Sequence, residues 1–208
     1  MPSRIFHTIL LLLLNICCRN KTKQPVAAVN TTQENKAAIT IVVQPFTGMP
    51  DAQVQAVAKE AKKVYPFVEI NKPIDLPQTA YYVPRSRYRA DSLISFLGRR
   101  TPDGFVTLGL TNKDISTTKE GIADWGVMGL GFCPGNACIA STFRLSGQNK
   151  TEQLFKVAIH EAGHTQGLPH CPVKTCFMRD AEGKNPTDEE KEFCSACKAH
   201  LVKRGWRL

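Results

Sequence analysis

From residue 38 onward, apolar and polar positions fall into blocks that read alternately as strands and helices. Ala38 to Val43 is apolar and β-branched, the composition of a buried strand, and Pro45, Gly48 and Pro50 break it. Asp51 is placed to cap a helix whose Val54, Val57, Ala58 and Ala61 share one face. Tyr65 to Ile70 reads as a second strand, closed by Pro73 and Pro77. Arg89 to Leu97 reads as a helix ending at Gly98, with Leu93, Ile94 and Leu97 apolar. Phe105 to Leu110 is a third buried strand. Trp125 to Phe132 and Ala137 to Leu145 are two more, joined by the turn-forming Cys133-Pro134-Gly135-Asn136 into a hairpin. Thr151 to Gly167 is a long helix with Leu154, Val157, Ala158, Ile159 and Ala162 apolar. Alternating strands and helices predict an α/β domain on a mixed, mostly parallel five-stranded sheet.

The segment before residue 38 has a different pattern. Ile9 to Ile16 is an apolar run after Arg4, too short to span a bilayer as a mature helix, with the length and charge order of a secretory signal. It ends in Cys17 and Cys18, which resembles a bacterial lipoprotein signal and makes either cysteine the candidate for lipidation. An ordinary signal peptide with incidental cysteines is the alternative. Residues 19–37 are polar and aperiodic, a flexible tether. The expected organisation is a signal over 1–18, a tether over 19–37 and one domain over 38–208. The expected location is outside the cytoplasm, either anchored in the cell envelope through a lipid or secreted.

Composition narrows the class. The 208 residues suffice for one domain, and 42% hydrophobic with 22% charged residues excludes collagen-like, disordered and multi-span membrane chains. Lys+Arg of 27 against Asp+Glu of 18 leaves a net charge of +9. No basic run is interleaved with aromatics, so a nucleic-acid partner is not expected, and a monomer is.

The chemistry is concentrated in His160-Glu161-Ala162-Gly163-His164, inside the last helix. Residues four apart lie one turn above each other, so two neutral imidazoles project from one face and can share a metal ion beside Glu161. Gly167 permits a positive φ that turns the chain back, and Pro169 stiffens the return, so that His170 becomes a third ligand. Three imidazoles leave a fourth position for water, the arrangement of a catalytic zinc. Zinc lowers the pKa of its bound water towards about 7, and Glu161 is the expected general base.

The run HEAGHTQGLPH continues through CPVKTCFM to Cys194 and Cys197, and together these segments resemble the archaemetzincin family of metzincin zinc metalloproteases. The resemblance implies a small cysteine-rich C-terminal part, peptide or protein substrates, and a second, structural zinc held by Cys171, Cys176, Cys194 and Cys197. It makes Met178 the methionine of a turn lying beneath the imidazoles, and Trp125 to Phe132 an edge strand on which extended peptide pairs. Two zincs per chain are then expected. Two disulfides remain the competing reading of the quartet in an oxidising compartment. Cys133 and Cys138 flank the hairpin turn and are candidates for a disulfide across it. His7 and His200 carry no such context and read as signal and surface residues. Competing with the enzyme are a non-catalytic zinc- or peptide-binding lipoprotein on the same scaffold and a disulfide-stapled adaptor.

Overall fold

The structure is a computed structural model and describes residues 38–208. The segments expected to be a signal and a tether, with His7, Cys17 and Cys18, lie outside the described residues. Among the described residues no helix is long and apolar enough to cross a membrane.

The chain opens with β1 (Thr40–Pro45), α1 (Asp51–Val64) and β2 (Val68–Ile70). It continues through β3 (Tyr81–Tyr82), β4 (Arg87–Arg89), α2 (Ala90–Gly98), β5 (Phe105–Thr111) and β6 (Ile115–Lys119). Next come β7 (Ile122–Val127), β8 (Gly129–Gly131), β9 (Ala137–Ser141), α3 (Lys150–Thr165) and α4 (Ser195–Lys203). The main sheet has five strands in the order β2-β1-β5-β9-β8. Its first four strands are parallel and β8 is an antiparallel edge, as the alternation of elements predicts.

Successive strand residues point to opposite faces, and the two faces are covered by different helices. Ile41, Val43, Leu108, Leu110, Cys138 and Ala140 pack with α1, α3 and the C-terminal segment. Ala137 and Ile139 pack instead with Leu93, Ile94 and Leu97 of α2. Burying such a side chain contributes roughly 1.5–3 kcal/mol, so α3 is fixed to the sheet by Leu154, Val157, Ala158, Ile159 and Ala162.

Besides the last strand, which ends at Ser141 rather than Leu145, three boundaries depart from the expectation. Asp51 is the first helical residue rather than the cap; Pro50 precedes it and no side chain caps the helix. Tyr65 and Pro66 are not in a strand. Tyr65 is fully buried at the end of α1 and donates its hydroxyl hydrogen to the Ile39 carbonyl, so β2 starts only at Val68.

The third departure concerns the site. Trp125 to Phe132 is not one strand but two, in two sheets. β7 pairs antiparallel with β6 in a second sheet of order β3-β4-β6-β7, whereas β8 pairs with β9. The expected hairpin around residues 133–136 is present between β8 and β9. β6 carries the polar sequence ISTTK, and it takes its strand form from pairing with β4 and β7 rather than from an apolar pattern of its own.

Candidate metal centres

α3 carries His160 and His164 on successive turns, and its C-terminal end brings in the third imidazole. Gly167 has φ +85°, the Gly167 N–H donates to the His164 carbonyl (2.8 Å), and the Leu168 N–H donates to the Gly163 carbonyl (3.2 Å). This is a Schellman ending, which satisfies the last carbonyls and reverses the chain. The reversal delivers His170, and one ring nitrogen from each of His160, His164 and His170 lies within 4.8 Å of the others.

The opposite ring nitrogens fix the tautomers. His160 Nδ1 lies 2.6 Å from the Phe177 carbonyl oxygen, and His164 Nδ1 lies 2.7 Å from that of Leu168. A carbonyl only accepts, so both Nδ1 atoms carry the proton and both Nε2 atoms present lone pairs. Those two Nε2 atoms are 3.0 Å apart. Two lone pairs at that distance repel unless a cation lies between them. Two imidazoles on one tetrahedral zinc, with Zn–N of about 2.0–2.1 Å, would stand about 3.3 Å apart, so the donor set fits. Burial and the neighbouring His164 push His160 down to about 3, which keeps it a neutral ligand. His170 is oriented by a carboxylate instead, with Nδ1 3.1 Å from Asp180 Oδ2.

Glu161 sits one residue from the first ligand and is only 8% exposed, wedged beneath β8. A Cβ on Gly129 would come 2.7 Å from Glu161 Oε1, and one on Gly131 would come 2.6 Å from the Glu161 carbonyl oxygen. Only glycine at both positions lets the strand approach the helix this closely. Burial pushes the Glu161 carboxyl up to about 8, against the backbone N–H of Gly131 that favours the charged form.

The four cysteines expected as a group do converge. Cys171, Cys176, Cys194 and Cys197 have sulfurs within 4.8 Å of one another, and none is in a disulfide. Cys171 Sγ to Cys194 Sγ and Cys176 Sγ to Cys197 Sγ are each 3.7 Å. A disulfide needs about 2.05 Å. Four thiolates around one zinc at about 2.3 Å stand about 3.8 Å apart, so the quartet fits a metal. Cys194 lies at the N-terminus of α4. Burial raises its pKa, but hydrogen bonds from the Cys197 backbone and from neighbouring thiols outweigh that and bring it to about 7. Met178, fully buried, follows the quartet's second member, and its carbonyl accepts from the Cys171 N–H at 2.7 Å. The chain between Cys171 and Met178 is thus tied on one side to the imidazoles and on the other to the sulfurs.

Two expectations from the sequence are not met. Cys133 and Cys138 are both free thiols. Cys138 points into the core under α3, and exposed Cys133 turns to the Leu168 carbonyl at 3.4 Å, so the hairpin places the two sulfurs apart. His200 is not a plain surface residue, since its Nε2 lies 3.0 Å from the Gln166 carbonyl oxygen and ties α4 to the end of α3.

A cleft of about 700 Å³ runs over the imidazoles, bounded by β7 and β8 on one side and by α3 and residues 179–187 on the other. Its walls carry Arg144, Lys156, Asp180 and Glu190, which sequence reasoning did not single out. Lys156 alone had a local signal, lying four residues before His160 and so on the same helix face.

Comparison with known proteins agrees with this geometry. The family model described as peptidase family M54 matches residues 39–204. An archaemetzincin of Haloarcula marismortui is 29% identical over 170 residues, 74% of this chain and 95% of that protein. One of Methanopyrus kandleri is 32% identical over 137 residues, 62% of this chain and 76% of that protein. The crystal structure of archaemetzincin from Archaeoglobus fulgidus, complexed with malonate, superposes with a TM-score of 0.66 at 28% identity, covering 78% of this chain and 99% of that one. The Methanopyrus kandleri structure gives 0.68 at 26%, covering 85% and 98%. The chain belongs to peptidase family M54, the archaemetzincins, and is a zinc-dependent metallopeptidase.

Proposed function

We propose that the chain hydrolyses peptide bonds in the metzincin manner, with His160, His164 and His170 holding the catalytic zinc and Glu161 as general base. Zinc held by three imidazoles supplies Lewis acidity towards a carbonyl oxygen and lowers the pKa of water. Glu161 accepts the proton of the attacking water and returns it to the leaving amine. Burial raises its pKa and so makes its ionised form a stronger base. β8 is a free sheet edge above Glu161, and an extended peptide pairing there has its backbone held along the cleft. The observation that carries the reading is the pair of unprotonated Nε2 atoms, 3.0 Å apart, beside a buried carboxylate.

A second zinc in the cysteine quartet is part of the proposal, supported by sulfur separations of 3.7 Å. So is export with an anchor at Cys17 or Cys18, which rests on the sequence of residues 1–18. The substrate class is peptide or protein.

The test is a peptide-library digest with the wild type and Glu161→Ala. The variant is expected to bind zinc as the wild type does and to lose hydrolysis by at least about a hundredfold. Equal turnover by the two proteins overturns the assignment of the base.

A further inference from the structure

The cleft extends beyond the imidazoles toward the N-terminal part of α3, and there it contains a buried acid with no evident structural use. Glu190 lines this end and is 4% exposed. Among the described residues its carboxylate accepts no hydrogen bond and enters no ion pair within 4 Å. Its carboxylate oxygens therefore face the open cleft rather than a protein partner.

Its surroundings are satisfied without it. Lys156 Nζ is 2.7 Å from Glu152 Oε1 and donates to the Thr187 carbonyl at 2.9 Å. Arg179 is 2.8 Å from Glu189 Oε2. Asp188 accepts from Gln153 Nε2 at 3.2 Å. The two cations are therefore each paired with a carboxylate other than Glu190, which is left facing the cleft without a direct partner. Burial raises the Glu190 carboxyl to about 7, with Lys156 and Arg179 pulling it back only in part. A cationic guest would draw it to the ionised form.

The lining of the cleft suits a long stem with a charged tip. Val157 and Met128 border the cleft and offer apolar surface, and the methylenes of a lysine or arginine lie well on such a wall while the head reaches an acid. Lys156 is already engaged twice, by Glu152 and by the Thr187 carbonyl.

We infer that this end of the cleft is a subsite for a basic side chain, a lysine or arginine of the substrate flanking the scissile bond, with Glu190 as its counter-ion. The inference rests on the peptidase reading for the placement of the scissile bond, but the binding itself does not depend on hydrolysis.

Two measurements separate the claims. Wild-type zinc-loaded protein is given a library in which each position around a central bond is lysine, arginine, citrulline, norleucine or glutamate. Cleavage next to lysine or arginine is expected to exceed that next to citrulline or norleucine by roughly tenfold, and Glu190→Gln is expected to bring the ratio within about twofold. The ratio is read on one protein at a time, so partial unfolding of a variant does not mimic the effect. In the second measurement, fluorescence anisotropy follows binding of a lysine peptide and its norleucine analogue to Glu161→Ala, with and without Glu190→Gln. The lysine peptide is expected to bind roughly tenfold tighter only when Glu190 is present. Cleavage without basic preference, together with equal binding, overturns the subsite and leaves the peptidase standing. Lysine-selective binding with no cleavage of any peptide overturns the peptidase and leaves the subsite standing.

Discussion

Gly163 and Met178 are packed so tightly that a Cβ on the glycine would lie 2.4 Å from the methionine sulfur. The glycine lies in α3 between Glu161 and His164, and the methionine is two residues past Cys176. Their contact is where the catalytic helix rests on the segment that connects the imidazoles to the cysteine quartet. Phe193, just before Cys194, lies 3.4 Å from the same point, and both Met178 and Phe193 are buried.

Gly163→Ala should therefore destabilise the protein, although alanine is the better helix former. Overpacking of this kind costs about 1–3 kcal/mol, against a propensity gain of about 1 kcal/mol. A denaturant titration would show a lowered midpoint. A midpoint equal to or above the wild type would mean that Met178 does not hold the position described.

Gly131→Ala meets backbone rather than a side chain, since the new Cβ would be 2.6 Å from the Glu161 carbonyl oxygen. β8 must then move away from α3, opening the cleft roof over Glu161. The expected result is a fall in kcat/KM of at least about tenfold, by loss of positioning. Unchanged kinetics would show that the strand's close approach has no part in catalysis.

Asp180→Asn removes the carboxylate behind His170, the only one of the three imidazoles not held by a backbone carbonyl. The backbone N–H of Glu182 holds Asp180 below the usual carboxylate range, so it is anionic at neutral pH. Loss of such a partner lowers metal affinity by roughly 10–100-fold. Competition with a chromophoric chelator measures this directly, and unchanged zinc affinity would exclude Asp180 as a positioning group.

Glu190 should leave a signature in the pH dependence of stability. Its folded pKa of about 7 is above the ordinary 4.5, because burial disfavours the charged form. Between those values the unfolded chain has lost a proton that the folded chain retains, so rising pH favours unfolding across this interval and not beyond it. Glu190→Gln lacks the effect. The variant should gain on the wild type from about pH 4.5 to pH 7 and then hold a constant advantage. Thermal melts of both proteins at pH 5, 6, 7 and 8 check this, and a difference independent of pH would contradict it.

Chelation should separate the two metal sites. Metal analysis of the purified chain is expected to return two zincs. Mild chelation should empty the three-histidine site, which opens to the cleft, before the quartet, where Cys176 and Cys197 are buried. A single zinc per chain, with two disulfides by mass, would overturn the second site.

Much of the site is legible in the residues because its causes are local. The helical repeat alone puts His160 and His164 on one face, and Gly167 alone allows the turn that brings His170 back. The strands of the main sheet announce themselves by continuous apolar runs, since both of their faces are covered by helices. The polar strand β6 does not, because its form comes from partners far along the chain, and the split of Trp125 to Phe132 between two sheets follows from the same pairing. Reading Cys133 and Cys138 as a disulfide used their nearness to a turn, but strand alternation sends Cys138 into the core.

What the sequence determined by itself is thus the set of groups able to hold metal and the spacing that lets them meet, since both depend on interactions within a turn or two of backbone. The tertiary structure alone decided the surroundings of those groups. It set Asp180 behind His170, Gly131 against Glu161 and Glu190 at the end of the cleft, because each pairing closes a long loop of chain that only the packing of sheet and helices brings together.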